Sequence, residues 1–344
     1  MKTTLRIPIL ALACLIVSTA WAQTADESFN KFKGMRKSPK RDVAFSQQLC
    51  DAGVGFLADH GGDAKRAREV VNDMLSFGTS VLAKNDALRS DWYAKVNFAI
   101  IDKQPAANDK NKAAFAALRA AIAEGETLDA PSGSAINDWR RHIDDLAQTP
   151  GSDIYMLDRE RGFYLVLNRM KARLPSMQKV IDTQLEGCSK SKIRDLSNWA
   201  KRELRLGEMR KTPFTLAFTT INGKAFDSAK LKSDTLLYVF TWSTTSRNAA
   251  GEMDRMLDQY YNYSRRQIEF VAVCLDPESK SAEVKAFIKK TKCKMPVHFD
   301  GKGNKGELYQ RLVAGGQWSG HIFDGKGNVR ATDIRPWDLK KFIK

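Results

Sequence analysis

The sequence predicts two fold classes in one chain, an all-α domain followed by an α/β domain. Three observations predict this. From Asp42 to about Leu204 the apolar residues recur at the 3.6-residue helical period. From about Arg205 onward, short β-type runs alternate with helical stretches, the signature of a sheet layered with helices. The 344 residues, 43% of them apolar, are enough to fill two cores.

Residues 1–22 belong to neither domain. Lys2 and Arg6 precede an apolar run from Ile7 to Ala20, and Ala20-Trp21-Ala22 forms a small-x-small cleavage site before Gln23. This pattern predicts a secretory signal peptide and therefore export, to a periplasm or to the extracellular space. The run is short for a bilayer span, and no other segment is apolar enough to cross a membrane. Residues 23–45 carry Lys31, Lys33, Arg36, Lys37, Lys40 and Arg41 with no acidic residue among them. They read as a basic, flexible lead.

Residues 46–204 form the all-α helical domain. In Ala64–Leu82 the residues Ala67, Val70, Val71, Met74, Leu75, Val81 and Leu82 trace one face. Further helices are expected at Ala87–Ile101, Asn111–Ala123 and Ala135–Leu146. Pro150-Gly151 breaks the chain, and a long buried helix follows through Phe163–Leu167. Met177–Glu186 should end at Gly187, and Ser191 should cap Lys192–Leu204, which ends before Gly207. This half holds no phosphate loop, metal-ligand spacing or nucleophile–base pair, so it reads as an interaction or spacer domain.

Residues 205–344 form the α/β domain. Pro213–Leu216 and Thr220–Phe226 read as a hairpin with an Asn222-Gly223 turn. Leu236–Phe240 is a buried strand, and the helix after Ser246 follows it. A second buried strand, Ile268–Asp276, leads to a helix at Ala282–Lys292. Met295–Asp300 is a short strand and Leu308–Leu312 a short helix. His321–Asp324 and Asn328–Ala331 close a hairpin, and a helix at Trp337–Ile343 ends the chain.

The run Trp242-Ser243-Thr244-Thr245-Ser246-Arg247-Asn248-Ala249, with Glu252 and Met253 after it, resembles the active-site turn of the thioredoxin superfamily. The match is to the redoxin branch, which includes envelope thiol:disulfide oxidoreductases and peroxiredoxins. Pro213-Phe214, Asn222-Gly223-Lys224, Val273-Cys274-Leu275-Asp276, Pro296–Gly303 and Ile322–Val329 extend the resemblance over residues 205–344. It implies a thioredoxin-like fold. In that branch the turn carries C-x-x-C, but here the two cysteine positions hold Ser246 and Ala249. Trp318 stands where the family has a cis-proline, and Phe240 where a polar residue helps move protons. A hydroxyl forms no disulfide, so dithiol exchange at this turn is not expected. Ser246 is suited to cap the following helix; as a nucleophile it would need His298 or His321 to approach in space. What remains of the family's substrate groove, at Trp242, Arg247, Trp318 and His321, is expected to accept an extended peptide.

Beyond Cys14, in the signal segment, there are four cysteines: Cys50, Cys188, Cys274 and Cys293. An exported chain could pair Cys50 with Cys188 and Cys274 with Cys293, or leave them as buried thiols. Cys274 and Cys293 are also the candidates for a thiol-based activity, with Lys290, Lys292 and Lys294 favouring thiolate at Cys293. No zinc spacing exists, and neither metal nor cofactor is implied. The net charge is +16, and from Arg205 onward 25 basic and 15 acidic residues place +10 of it in the second half. This suits an acidic protein face or another anionic surface, or is simply a solvated basic surface. No aromatic-interleaved basic motif points to nucleic acid. Two functions stay open: a redox-inactive binding or scaffold module, with a protein or peptide of the envelope as partner, or a thiol oxidoreductase or antioxidant using Cys274 and Cys293.

Overall fold

The computed structural model describes residues 24–37, 43–80, 108–171, 174–264, 268–313, 315 and 317–343. The expected signal peptide and the helix expected at Ala87–Ile101 lie outside the described residues. The chain divides into two compact units. The first runs up to Gln184 and takes in Ser191–Leu196; the second holds Leu185–Lys190 and everything from Ser197 onward.

The first unit is helical: α1 (Ala25–Arg36), α2 (Val43–His60), α3 (Ala64–Ser80), α4 (Asp109–Asp129), α5 (Gly133–Ala147), α6 (Asp153–Met170) and most of α7 (Met177–Ser189). Helix α4 takes the central place because its alanines let neighbours approach. Ala113, Ala114, Ala117, Ala120 and Ala121 are all buried, and α3, α5 and α6 pack around them. Trp139 of α5 meets Phe163 of α6 edge to face at 4.9 Å.

Residues 25–36 are not a flexible lead. Thr24 accepts from the Glu27 amide at 3.2 Å, and the Glu27 carboxylate accepts from the Thr24 amide at 2.9 Å, closing a capping box. Phe32 is buried, and Lys33 and Arg36 pair with Glu69 and Asp73 of α3, each at 2.8 Å. The cations that read as a disordered run find their acids one helix away in space. Two other boundaries move outward: α7 continues through Gly187, and α8 (Arg194–Met209) begins two residues late and continues through Gly207. A helical glycine costs about 1 kcal/mol relative to alanine, too little to end a helix whose apolar face is already packed.

The second unit opens with a hairpin, β1 (Ala217–Thr219) and β2 (Ala225–Asp227), that turns at Asn222-Gly223. Gly223 has φ +79°, a conformation that side chains resist. A five-stranded sheet follows, in the order β5-β4-β3-β6-β7: β3 (Leu236–Trp242), β4 (Ile268–Cys274), β5 (Val297–His298), β6 (Gly320–Phe323) and β7 (Val329–Ile334). β3, β4 and β5 are parallel neighbours, while β6 and β7 run antiparallel to their neighbours.

Alternation along β3 builds two cores. Tyr238, Phe240 and Trp242 pack with Met253 and Leu257 of α9 (Ala249–Tyr263) and with Val284 and Ile288 of α10 (Ser281–Lys290). Leu237 and Val239 face the other way, toward Phe214, Phe323, and Leu308 and Leu312 of α11 (Glu307–Leu312). Parallel strands joined by α9 and α10, closed by an antiparallel hairpin, make a thioredoxin-like fold. After β7 the chain forms a 3₁₀ turn, Pro336–Lys341, in place of the helix expected at Trp337–Ile343. Leu339 is its one fully buried apolar anchor, and so short a segment adopts i→i+3 bonding.

In the first unit the buried carboxylates are matched by cations. Glu124 meets Arg159 at 3.3 Å with both side chains 3% exposed, and Glu160 is held by Arg140 and Gln184 at 2.8 and 2.7 Å. Arg159→Met takes a guanidinium from beside the buried Glu124 carboxylate. It should lower unfolding stability by about 3–5 kcal/mol, read from urea denaturation.

Candidate functional site: a loop locked at the strand ends

The loop that leaves β3 is organised by one carboxylate. Asp276, just beyond the end of β4, is 1% exposed. Its Oδ1 accepts from the Ser243 hydroxyl at 2.5 Å, and its Oδ2 from the Thr244 amide at 2.8 Å. The Ser243 oxygen in turn accepts from the Thr245 amide at 3.1 Å, and the two hydroxyls lie 2.8 Å apart. Burial alone would raise the Asp276 pKa, but the donors from Ser243 and Thr244 outweigh it and hold the group below the usual carboxylate range.

Ser246 does not cap α9. The N-cap is Asn248, three residues before Gly251, and α9 begins at Ala249. The Ser246 hydroxyl instead donates to the Ser243 carbonyl and accepts from the Trp318 indole N–H, both at 3.0 Å. No histidine is its partner. His321 pairs with Val239 across the sheet and so faces the α11 side, opposite Trp242. His298 stacks edge-on against Phe218.

Trp318, expected at the cis-proline position of the redoxin branch, is held by its own contacts. Its amide donates to the Thr241 carbonyl at 2.6 Å, and the Ser319 carbonyl accepts from the Thr241 amide at 3.3 Å, extending the β3–β6 pairing. Its ring lies 6.1 Å from that of Trp242, and its carbonyl accepts from Arg335 at 3.3 Å. The backbone is left-handed, φ +60°, which is rare for so bulky a side chain.

These contacts change the expected groove. Trp242 is 0% and Trp318 6% exposed, because the loop before β6 lays Trp318 over the strand ends, while His321, 1% exposed, is buried on the opposite face of the sheet. Of the four groove candidates only Arg247 is exposed, at the loop tip beside exposed Thr245 and Asn248. Ala249 is buried as the first residue of α9. Phe240 lies wholly inside the α9 core.

The thiols are also buried. Cys274 pairs with Trp242 at the end of the parallel ladder, and its Sγ donates to Asp276 Oδ2 at 3.4 Å. Of the two states the sequence left open, Cys274 and Cys293 stand as separate buried thiols. Burial pushes both thiols up, and the Asp276 charge raises Cys274 further. Lys290, Lys292 and Lys294 are exposed and do not offset the burial of Cys293. Cys50 and Cys188 are likewise buried. Among the described residues, no cluster of histidine, cysteine and carboxylate side chains is placed to hold a metal. No helix among them is long and apolar enough to cross a membrane.

The residues that sequence reasoning missed are Ser243 and Asp276. Asp276 was visible as a carboxylate ending an otherwise apolar strand, but its partner lies 33 positions away.

No protein-family model matches the chain, and no curated protein sequence does. Solved structures do. A thioredoxin domain of a thiol-disulfide oxidoreductase from Bacteroides vulgatus matches over 38% of this chain and 95% of that one, at 14% identity and a TM-score of 0.33. A thiol-disulfide oxidoreductase from Bacteroides fragilis matches over 38% and 98%, at 17% identity and a TM-score of 0.32. A thiol:disulfide interchange protein from Chlorobium tepidum matches over 38% and 92%, at 21% identity and a TM-score of 0.31. Strand order and register, rather than these scores, fix the fold.

Two outcomes follow from the buried groups. A thiol reagent at pH 8 should label Cys274 and Cys293 at least about tenfold more slowly in the folded chain than in urea, since burial both shields the sulfur and keeps its proton on. Burial also pushes the His321 pKa down to about 4, against the opposite pull of Asp333. An unfolded histidine titrates near about 6.5, so unfolding takes up a proton below that pH. The stability held by neutral His321 is therefore complete above about pH 6.5 and is lost as pH falls through about 4. Thermal midpoints measured from pH 7.5 to 4 should fall less steeply in His321→Asn.

Proposed function

We propose that this chain is an exported thioredoxin-like protein that acts as a binding or scaffold module, without dithiol exchange at the usual turn. The observation that carries this reading is the bond from the Trp318 indole to the Ser246 hydroxyl. It fills with the protein's own side chain the place where an exchanger must present a thiolate to a substrate disulfide. The loop beneath is pinned to Asp276, so it is built to hold its shape. The surface left for a partner is the loop tip, with Arg247 flanked by Thr245 and Asn248. Its guanidinium and the +10 excess of the second half suit an acidic protein or peptide of the envelope. Export rests on the signal-like pattern of residues 1–22.

One observation favours the enzymatic alternative. Cys274 lies against a carboxylate, the kind of group that accepts a thiol proton. Burial and the negative charge of that same carboxylate work against it, because both keep the proton on sulfur. The two readings separate in one assay series. The reduced chain and Cys274→Ser are compared for insulin-disulfide reduction and for peroxide consumption. Neither protein should turn over above the reductant-only background. Turnover by the wild-type chain that disappears in Cys274→Ser would overturn the binding reading and establish a thiol-dependent enzyme.

A further inference from the structure

A second place at the strand ends carries chemistry that the locked loop does not use. β4 and β5 are parallel neighbours, yet their chains leave for opposite faces of the sheet. After β4 the chain passes through Leu275 and Pro277 to α10, which packs in the core of Tyr238 and Phe240. After β5 it passes through residues 299–306 to α11, which packs in the core of Leu237 and Val239. The two segments stay joined as they leave the strands, Pro277 bridging Lys302 and the Glu278 amide donating to the Gly301 carbonyl at 2.9 Å, and a crevice opens beside this bridge at the carboxyl ends, where open α/β sheets collect ligands. A cleft of about 510 Å³ lies there, lined by Leu275, Pro277 and the loop after β5. Its size is that of a small-molecule site.

The lining decides the ligand's charge. Lys302 and Lys305 come from the loop after β5, together with Asn304, while Tyr309 and Gln317 complete the wall. No acidic side chain lines the cleft, although Glu278 lies against Gly301 and Asp300 against Gly306 at its border. The backbone of the loop is also turned for an anion. Gly301 has φ +68°, Lys302 is in the right-handed region, and Gly303 has φ +59°. Successive amides in alternating right- and left-handed conformations form a concavity that binds anions.

The same chain shows what happens when such a loop has no vacancy. Phe299-Asp300-Gly301-Lys302-Gly303-Asn304 recurs, residue for residue, as Phe323-Asp324-Gly325-Lys326-Gly327-Asn328. In the second copy Asp324 takes the amides of both Lys326 and Asn328, at 3.0 and 2.9 Å, and its carboxylate also holds the Asn328 side chain. That copy closes on itself as the β6–β7 turn. In the first copy Asp300 takes the amide of Lys302 at 2.9 Å, the equivalent of the first bond alone. Asn304 instead lies within a short 3₁₀ turn, Gly303–Lys305, at the lip of the cleft.

We propose that the crevice between β4 and β5 binds a small phosphate-bearing molecule, with Lys302 and Lys305 as its cationic contacts. Phosphate suits the site better than a planar carboxylate because its oxygens can engage two ammonium groups and loop amides from several directions at once. The proposal is independent of whether the thiols react.

The test uses the purified full chain at low ionic strength, titrated calorimetrically with inorganic phosphate, glycerol phosphate and succinate. Three proteins are compared: wild type, Lys302→Gln/Lys305→Gln, and Lys289→Gln/Lys290→Gln. The last makes the same change in net charge on exposed lysines of α10. Saturable binding of a phosphate, at least tenfold weaker in Lys302→Gln/Lys305→Gln and unchanged in the α10 variant, is the expected result. Tighter binding of glycerol phosphate than of inorganic phosphate identifies an organic phosphate as the ligand, and the reverse identifies the free ion. Absence of saturable binding, equal loss in both variants, or succinate binding as tight as phosphate would each overturn the assignment. All four lysines are exposed, and unchanged melting temperatures confirm that the variants remain folded.

Discussion

A carboxylate almost sealed from water, at the point where β3 and β4 end, sets the terms for everything around it. An ionised group in that position costs several kcal/mol unless donors surround it. The loop after β3 supplies them: a hydroxyl from Ser243 and an amide from Thr244. To deliver both, the chain must fold back sharply at Thr245. That turn carries Ser246 beneath the Trp318 indole and delays the first residue of α9 to Ala249. The position of the loop is therefore a consequence of satisfying Asp276, and the helix begins where that requirement ends.

Trp318 closes the arrangement from the other side. A left-handed backbone at a bulky residue costs on the order of 1–3 kcal/mol, and several contacts hold it there: the amide hydrogen bond to Thr241, the indole hydrogen bond to Ser246, a tilted ring contact with Trp242 and the Arg335 contact to its carbonyl. The active turn of an exchanger keeps donors free for a sulfur that gains and loses charge. Here the donors are committed to a carboxylate whose charge is constant at neutral pH, and the neighbouring volume is filled with indole.

The fold was largely legible because its signals are local or periodic. β3 and β4 are mostly apolar runs broken only by Thr241 and Glu269, α3 and α4 show helical stripes, and the glycine turns announce both hairpins. The misreadings occurred where distant residues decide. The lysines and arginine of α1 resembled a disordered tail until Glu69 and Asp73 were found opposite them, although Thr24 and Glu27 already spelled a capping box. Gly187 and Gly207 looked like helix ends, but neither is forced into a left-handed conformation. At the site, the missing cysteines could be read directly. The burial of Trp242 and Trp318 could not, because it depends on a loop more than seventy residues from β3 folding over the strand ends.

Trp318 also makes the change at this turn hard to reverse. Thiols introduced by Ser246→Cys and Ala249→Cys would enter a space already occupied by an indole and a buried helix start, with the nearby donors spent on Asp276. Removing the indole first would open a cavity under the sheet before any chemistry was gained. Each step toward an exchanger, taken alone, thus lowers stability without returning activity. A lineage carrying this turn would face a ratchet, with mutation free to alter the exposed loop tip around Arg247 but impeded from rebuilding what lies beneath it.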